Sequence, residues 1–390
     1  MSITRGEESF HAMRKFTIGH VLDIPVRIDL SLVVFLPVLA WLFGSGAQIG
    51  VYADIVNAIA PRPFVLSTLT AGANPWIVGV ASAVGLFVAV AVHELGHAVV
   101  GLRYGVKTEA ITLWLLGGIA SLQSIPRIPE QEFAIALAGP VTSVLVAAVC
   151  YAVLYAVPAS LPVVGFVFGW LAVSNLLLAG FNLLPAFPMD GGRVFRAFLA
   201  RSRPYGVATR TAARVGVAFA VLFAVVGVLE LSPIFFLLAW FVYSAATGES
   251  RSVLLDDLLE GLTVSDIARE SRTIDAEASV QAFADRMLAE HRTEFAVTRD
   301  GAVVGVVTMN ALRQIREVER DAYRVEEVMR TDLPTVSSDA DAFEALATLN
   351  DRNAGAAFVE AGGNVVGVVT HADYSIVLQH RRTPEPAVPA

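Results

Sequence analysis

Apolar positions in the first 248 residues come in long, nearly unbroken runs. A bilayer core of ~30 Å takes about 20 mostly apolar residues in a helix. Six stretches reach or approach that length: roughly 31–51, 77–102, 133–157, 163–184, 208–230 and 233–248, the last of them short. Beyond residue 248 the pattern changes to short segments that repeat. VSDIARES…VVGVVTMNAL (264–312) matches VEEVMRTD…VVGVVTHADY (325–374), with Gly305 and Thr308 aligned to Gly367 and Thr370 at an offset of 62. Each copy reads as a short helix, a strand, a helix, two strands about a turn (Asp300-Gly301 or Gly362-Gly363) and a last helix. A unit this small buries little core alone, so the copies are expected to pack as a pair.

The pattern predicts a multi-pass α-helical membrane protein of about six spans, with a short membrane-associated β element, followed by a soluble α/β domain. The expected boundaries are a membrane domain at 1–248, a linker at 249–262 and a tandem pair at 263–380 made of 263–316 and 325–378. A Pro-rich, disordered tail follows at 381–390. Residues 108–124 interrupt the helical pattern: they are apolar but β-favouring, with Gly117-Gly118 between two short runs. They read as a hairpin or re-entrant segment sheltered by protein, since strand edges are not tolerated against lipid. A short amphipathic connector fits the sequence equally well.

Charge follows the same division. Hydrophobic residues make up 55% of the 390 and charged ones 16%, below the quarter usual for a soluble chain. Residues 1–248 carry a net +3 and residues 249–390 a net −11, within a total of −8. Arg14, Lys15, Arg27, Arg103, Lys107, Arg193, Arg196, Arg201, Arg203 and Arg251 all fall on one side if six spans alternate, and the opposite loops carry only Arg62. Both termini and the repeat pair are therefore expected in the cytoplasm, with the chain in the cell membrane. Cys150 is the only cysteine, which excludes an intrachain disulfide and a cysteine-based zinc site. The polar opening MSITRGEESFHAMRKF lacks the apolar core of a cleavable signal.

Chemistry concentrates in His93-Glu94-Leu95-Gly96-His97, inside the apolar run AVGLFVAVAVHELGHAVVGL. On a helix, residues i and i+4 share a face, so both imidazoles can reach one metal. Glu94 can take a proton from a water that the metal acidifies. Ionisable groups inside a membrane segment are expensive and point to function; the bland reading is a structural polar cluster between helices. A catalytic zinc takes three protein ligands and an open position. The candidate third ligand is Asp190, in NLLPAFPMDGGR at the end of the fourth run, the only acid between Glu132 and Glu230. By itself Asp190 could equally cap the arginine-rich segment after it.

HELGH in one span and FNLLPAFPMDGGR after another resemble the site-2 proteases, the zinc intramembrane metalloproteases. The resemblance covers residues from about 15 to 248. It implies cleavage of a peptide bond in or near a transmembrane segment of a membrane-tethered substrate, such as an anti-sigma or transcription factor. It implies one zinc ion per chain held by His93, His97 and Asp190, with Glu94 as catalytic base. Asn182 matches the family's asparagine near the metal, which positions substrate or the oxyanion; alone, it reads as well as a packing residue. Gly117 and Gly118 match the family's membrane-associated sheet element, which pairs with an unwound substrate strand.

The repeats resemble a tandem pair of cystathionine-β-synthase (CBS) domains, which commonly bind adenine nucleotides through a Gly-x-x-Thr-x-x-Asp stretch. The second copy has Gly367, Thr370 and Asp373; the first has Gly305 and Thr308 but Ala311 in place of the Asp. At most one good nucleotide site is expected, and a purely structural or dimerising pair is an equal alternative. The expected partners are a membrane-spanning protein substrate, the bilayer and a second copy in a homodimer, with no direct nucleic-acid contact. Two other functions compete: a membrane transporter or channel gated by its CBS pair, and a pseudoprotease that binds clients without cutting.

Overall fold

The structure is a computed structural model that describes residues 15–115, 117–122, 127–268 and 272–382. The expected tail lies outside the described residues from 383 onward. The chain divides into two compact units, Met1–Ser250 and Arg251–Ala390.

The first unit begins with strands β1 (Lys15–Val21) and β2 (Ile24–Asp29), a hairpin whose turn sets Leu22 and Asp23 at φ of 53° and 64°. Helices α1 (Leu30–Phe43), α2 (Gly46–Asn57), the short α3 (Leu66–Leu69) and α4 (Asn74–Arg103) follow. Strands β3 (Thr108–Trp114) and β4 (Gly117–Leu122) precede α5 (Pro129–Ala156), α6 (Pro162–Asn182), α7 (Asp190–Ala200), α8 (Tyr205–Leu229) and α9 (Pro233–Leu259). Asp29 caps α1 by accepting from Ser31, and Pro75, Pro129 and Pro162 occupy the first turns of α4, α5 and α6, where no N–H is lost.

Four helices, α4, α5, α6 and α8, are long and apolar enough to cross a membrane, or five spans if the bent pair α1–α2 counts as one. That count differs from the six runs in two places. The first run breaks at Gly44-Ser45 into helices 72° apart, because Ser45 caps a new helix and Gly44 packs on the start of α4: a Cβ there would lie 2.6 Å from the Pro75 carbonyl oxygen. The sixth run is only the first part of α9, whose apolar stretch gives way to charged residues before Leu259. Large apolar side chains remain exposed along the spans, among them Val88 at 57%, Val149 at 63% and Leu177 at 62%. A soluble surface does not carry such continuous apolar belts; these faces meet lipid.

Residues 108–124 form the hairpin alternative as far as Leu122, but within a larger sheet of order β1-β2-β3-β4. β2 and β3 run parallel with Val26 opposite Ile111, and β3 and β4 antiparallel with Trp114 opposite Gly117. β4 is thus an edge strand, and it packs beside α4.

The second unit contains α10 (Val264–Ile267), β5 (Thr273–Asp275), α11 (Val280–Glu290), β6 (Glu294–Arg299), β7 (Ala302–Thr308) and α12 (Met309–Gln314). The second copy supplies β8 (Thr335–Ser337), α13 (Ala342–Asp351), β9 (Ala356–Ala361), β10 (Asn364–Thr370) and α14 (His371–Arg382). Each copy forms a three-stranded sheet, β5-β6-β7 or β8-β9-β10, with the same one parallel and one antiparallel pairing. Asp300 and Gly301, and Gly362 and Gly363, all take positive φ between 51° and 82°, as two-residue hairpin turns require. Ala296 and Val306 of one sheet pack against Ala356 and Val368 of the other, the shared core expected of a pair.

Candidate metal centre

Helix α4 carries His93 and His97 on one buried face, 3% and 7% exposed. Helix α5 crosses it at a point that only small residues permit. A Cβ on Gly96 would lie 3.0 Å from the Ala138 carbonyl oxygen, and one on Gly139 would lie 2.6 Å from His93 Nε2 and collide with His97 Nε2. Gly139 therefore keeps open the space into which both imidazoles point. The remaining nitrogens are held from α5: His97 Nδ1 is 2.7 Å from the Ile135 carbonyl and His93 Nδ1 is 2.8 Å from Ser143 Oγ. A carbonyl can only accept, so His97 Nδ1 carries the proton and its Nε2 lone pair is left for a metal.

Asp190 arrives from the opposite side at the first position of α7. Loop 183–189 folds back over the start of that helix, and a Cβ on Gly192 would sit 2.7 Å from Phe187 N. This is the physical need behind the paired glycines after Asp190. Asp190 Oδ2 lies 3.1 Å from His93 Nε2 and 3.2 Å from His97 Nε2, and the two Nε2 atoms are 3.2 Å apart. Zinc bonds of ~2.0–2.1 Å in a tetrahedron set ligand atoms about 3.3 Å apart. The donor set of two nitrogens and one carboxylate oxygen, its spacing and the gap kept by Gly139 all fit a zinc ion. Among the described residues, these three form a group whose ligand atoms all lie within 4.8 Å of one another.

The same cavity, about 430 Å³, is lined by Glu94, Asn182, Gly117, Gly118 and Arg193 and closed on one side by Phe241 and Ala245 of α9. Gly118 rests on Glu94: a Cβ there would meet Glu94 Cγ at 2.6 Å. The Asn182 side chain donates to the Leu178 carbonyl at 3.0 Å. Every site residue expected in the first unit is thus brought to one cavity. Ser143, Ile135 and Gly139 were not singled out from sequence; a serine and a Gly-Pro pair inside the run 133–157 were the only signals.

Residues 81–223 match the Peptidase family M50 profile, and residues 264–317 and 325–378 each match the CBS domain. A zinc metalloprotease of Methanocaldococcus jannaschii is 34% identical over 289 residues, 74% of this chain and 82% of that protein. The chain belongs to peptidase family M50, the site-2 proteases. A Mycobacterium tuberculosis protein that carries the name zinc metalloprotease Rip3 is 32% identical over 95% of this chain and 94% of its own length. Among solved structures, a site-2 protease from M. jannaschii is 32% identical and covers 61% of this chain and 95% of its own, with a TM-score of 0.42. As an M50 member the chain is a zinc metalloprotease of the integral membrane, with CBS domains appended.

The second unit disperses its expected residues more widely. Thr370 and Asp373 line a cavity of about 320 Å³ together with Arg272, Arg292 and Glu294. Asp373 also accepts from Thr370 N and Oγ1 at 3.0 and 2.9 Å, which caps α14. Gly367 is buried in β10 and is not among the residues lining the cavity, and Thr308 lines a separate cavity of about 160 Å³. Burial pushes the Glu294 carboxyl above the usual carboxylate range, and the nearby Asp373 charge adds to it.

Proposed function

We propose that the chain is an intramembrane endopeptidase that hydrolyses a peptide bond in or near a transmembrane segment of a membrane-tethered protein. The observation that carries this reading is the meeting of His93, His97 and Asp190 at one wall of a cavity that also holds Glu94, among apolar helices. One zinc per chain is held by those three residues. When bound, zinc supplies a Lewis acid that acidifies a water molecule and polarises a carbonyl. Glu94 takes the proton from the water and returns it to the leaving amine. Asn182 and the backbone of Gly117 and Gly118 hold the substrate beside it. A helical peptide bond hides its carbonyl, so pairing of an unwound substrate with edge strand β4 is what presents the bond.

The same reading assigns residues 1–248 to the protease, 249–262 to a linker and 263–380 to the CBS pair. Both termini lie in the cytoplasm when the bent pair α1–α2 and the apolar first part of α9 each count as a span, which puts the arginines on one side, and the protein works as a homodimer. An adenine nucleotide modulates activity from the cavity at Thr370 and Asp373. The smaller space at Thr308 and Ala311 in the acid's place favour one such site per chain.

The test is zinc content plus cleavage of a single-span substrate in detergent, wild type against Glu94→Gln. About one zinc in both and cutting by wild type alone supports the reading. Undiminished cutting by Glu94→Gln removes the mechanism, and absence of bound metal from both returns the chain to the transporter alternative.

A further inference from the structure

The metal centre has a second polar cluster behind it that none of the steps above uses. Helix α7 begins at Asp190 and carries Arg196 about 9 Å further along its axis, at 1.5 Å per residue. Arg196 is fully buried, and Glu132 is 3% exposed. Arg196 Nε donates to Glu132 Oε1 at 2.7 Å, Nη2 lies 2.5 Å from the same oxygen, and Nη1 donates to Glu249 Oε1 at 2.5 Å. The guanidinium also stacks on aromatic rings, 5.0 Å from the centre of Phe187 and 4.9 Å from that of Tyr205.

Three of these partners belong to elements that shape the centre. Phe187 lies in the loop that delivers Asp190. Glu132 is on α5, whose Ile135 and Ser143 orient the two histidines. Glu249 is on α9, one turn beyond Ala245 in the cavity wall. Mere cohesion between these elements is served as well by apolar side chains, because burying charge offsets much of the attraction. What a guanidinium between two carboxylates adds is direction, since its donors are fixed in a plane.

We propose that Arg196, held by Glu132 and Glu249, is a positioning residue that sets where the Asp190 carboxylate stands relative to His93 and His97. This rests on Asp190 being a metal ligand. Glu249 is the adjustable half of the clamp, as its side chain is 23% exposed whereas that of Glu132 is 3% exposed. A displacement of α9 at Glu249 leaves Arg196 held by Glu132 alone and loosens the seat of Asp190 against the imidazoles.

The experiment uses the full chain in detergent, stripped of metal and titrated with cobalt(II), whose visible absorption reports the ligand set. Wild type is compared with Arg196→Met, Arg196→Lys, Glu249→Gln and Asp190→Ala. Arg196→Met and Glu249→Gln are expected to weaken cobalt binding about 10-fold or more and to shift the visible bands. Arg196→Lys, which keeps one charged contact, should recover part of both. Glu249→Gln sits at the open side of the cluster and keeps the apolar packing, so it serves if Arg196→Met does not fold. If cobalt affinity and spectrum in Glu249→Gln and Arg196→Lys match wild type while Asp190→Ala alters them, the clamp is overturned and the ligand assignment survives. If Asp190→Ala leaves the spectrum unchanged, the ligand assignment itself fails, and the clamp with it.

Discussion

The two candidate sites differ in what surrounds their polar atoms. At the metal centre the histidines are buried: His93 and His97 lie in α4, and the partners of their Nδ1 atoms, Ser143 and Ile135, are single groups on one neighbouring helix. The cavity at Thr370 is lined by Arg272, Glu290, Arg292, Glu294 and Asp373 as well as by apolar residues. In the first setting each imidazole Nδ1 has a single partner, so its loss leaves a buried atom unpaired. In the second, neighbours and water can substitute. Changes at the metal centre should therefore act steeply, and changes in the repeat cavity by degrees.

The steepest expected loss is that of Glu94→Gln, about 10²–10⁴-fold in proteolysis with zinc content unchanged, measured by cleavage and metal analysis side by side. Gly139→Ala comes next. Its methyl would occupy the space at His93 Nε2 and His97 Nε2, so bound zinc and activity should fall together; full zinc occupancy would show that α5 can yield there. Ser143→Ala should cost about 10-fold in zinc affinity, because it removes only the contact that orients His93. A competition titration with a chelator measures it.

The repeat cavity should respond more gently. Burial first, and then the neighbouring Asp373 charge, hold the Glu294 carboxyl above the ordinary carboxylate range. As pH falls through that raised range the carboxyl gains a proton, the cavity loses a negative charge, and an anionic nucleotide binds more tightly. Calorimetric titration with ATP should show affinity rising toward acid pH, and Glu294→Gln should flatten that slope. A slope of opposite sign would place the phosphates elsewhere. Smallest of all, Gly301→Ala puts a side chain at φ +79° and should cost about 1 kcal/mol, read as faster hydrogen exchange in β6 and β7.

Legibility divides along the same line. The i, i+4 spacing of His93 and His97 needs nothing but a helix, and Asp190 stands out because no other acid lies between Glu132 and Glu230. The hairpin turns at Asp300-Gly301 and Gly362-Gly363 were equally plain, since few residues accept positive φ. By contrast β1 and β2 were not foreseen. Their turn uses Leu22 and Asp23 at positive φ, without the glycine that usually marks such a bend, and β2 gains its place only by pairing with Ile111 and its neighbours.

What the amino-acid order determined by itself is everything with a local cause. Long apolar runs must be helices in a bilayer because every backbone group needs an internal partner. HELGH must present two imidazoles together, and the repeats must form two like units. The tertiary structure alone decided which atoms meet across the chain. Asp190 reaches His93 over 97 residues and Arg196 reaches Glu132 over 64. Gly139 matters because of what stands opposite it. Those outcomes depend on how closely α4, α5 and α7 approach, and close approach is set by packed volumes that no single stretch of sequence contains.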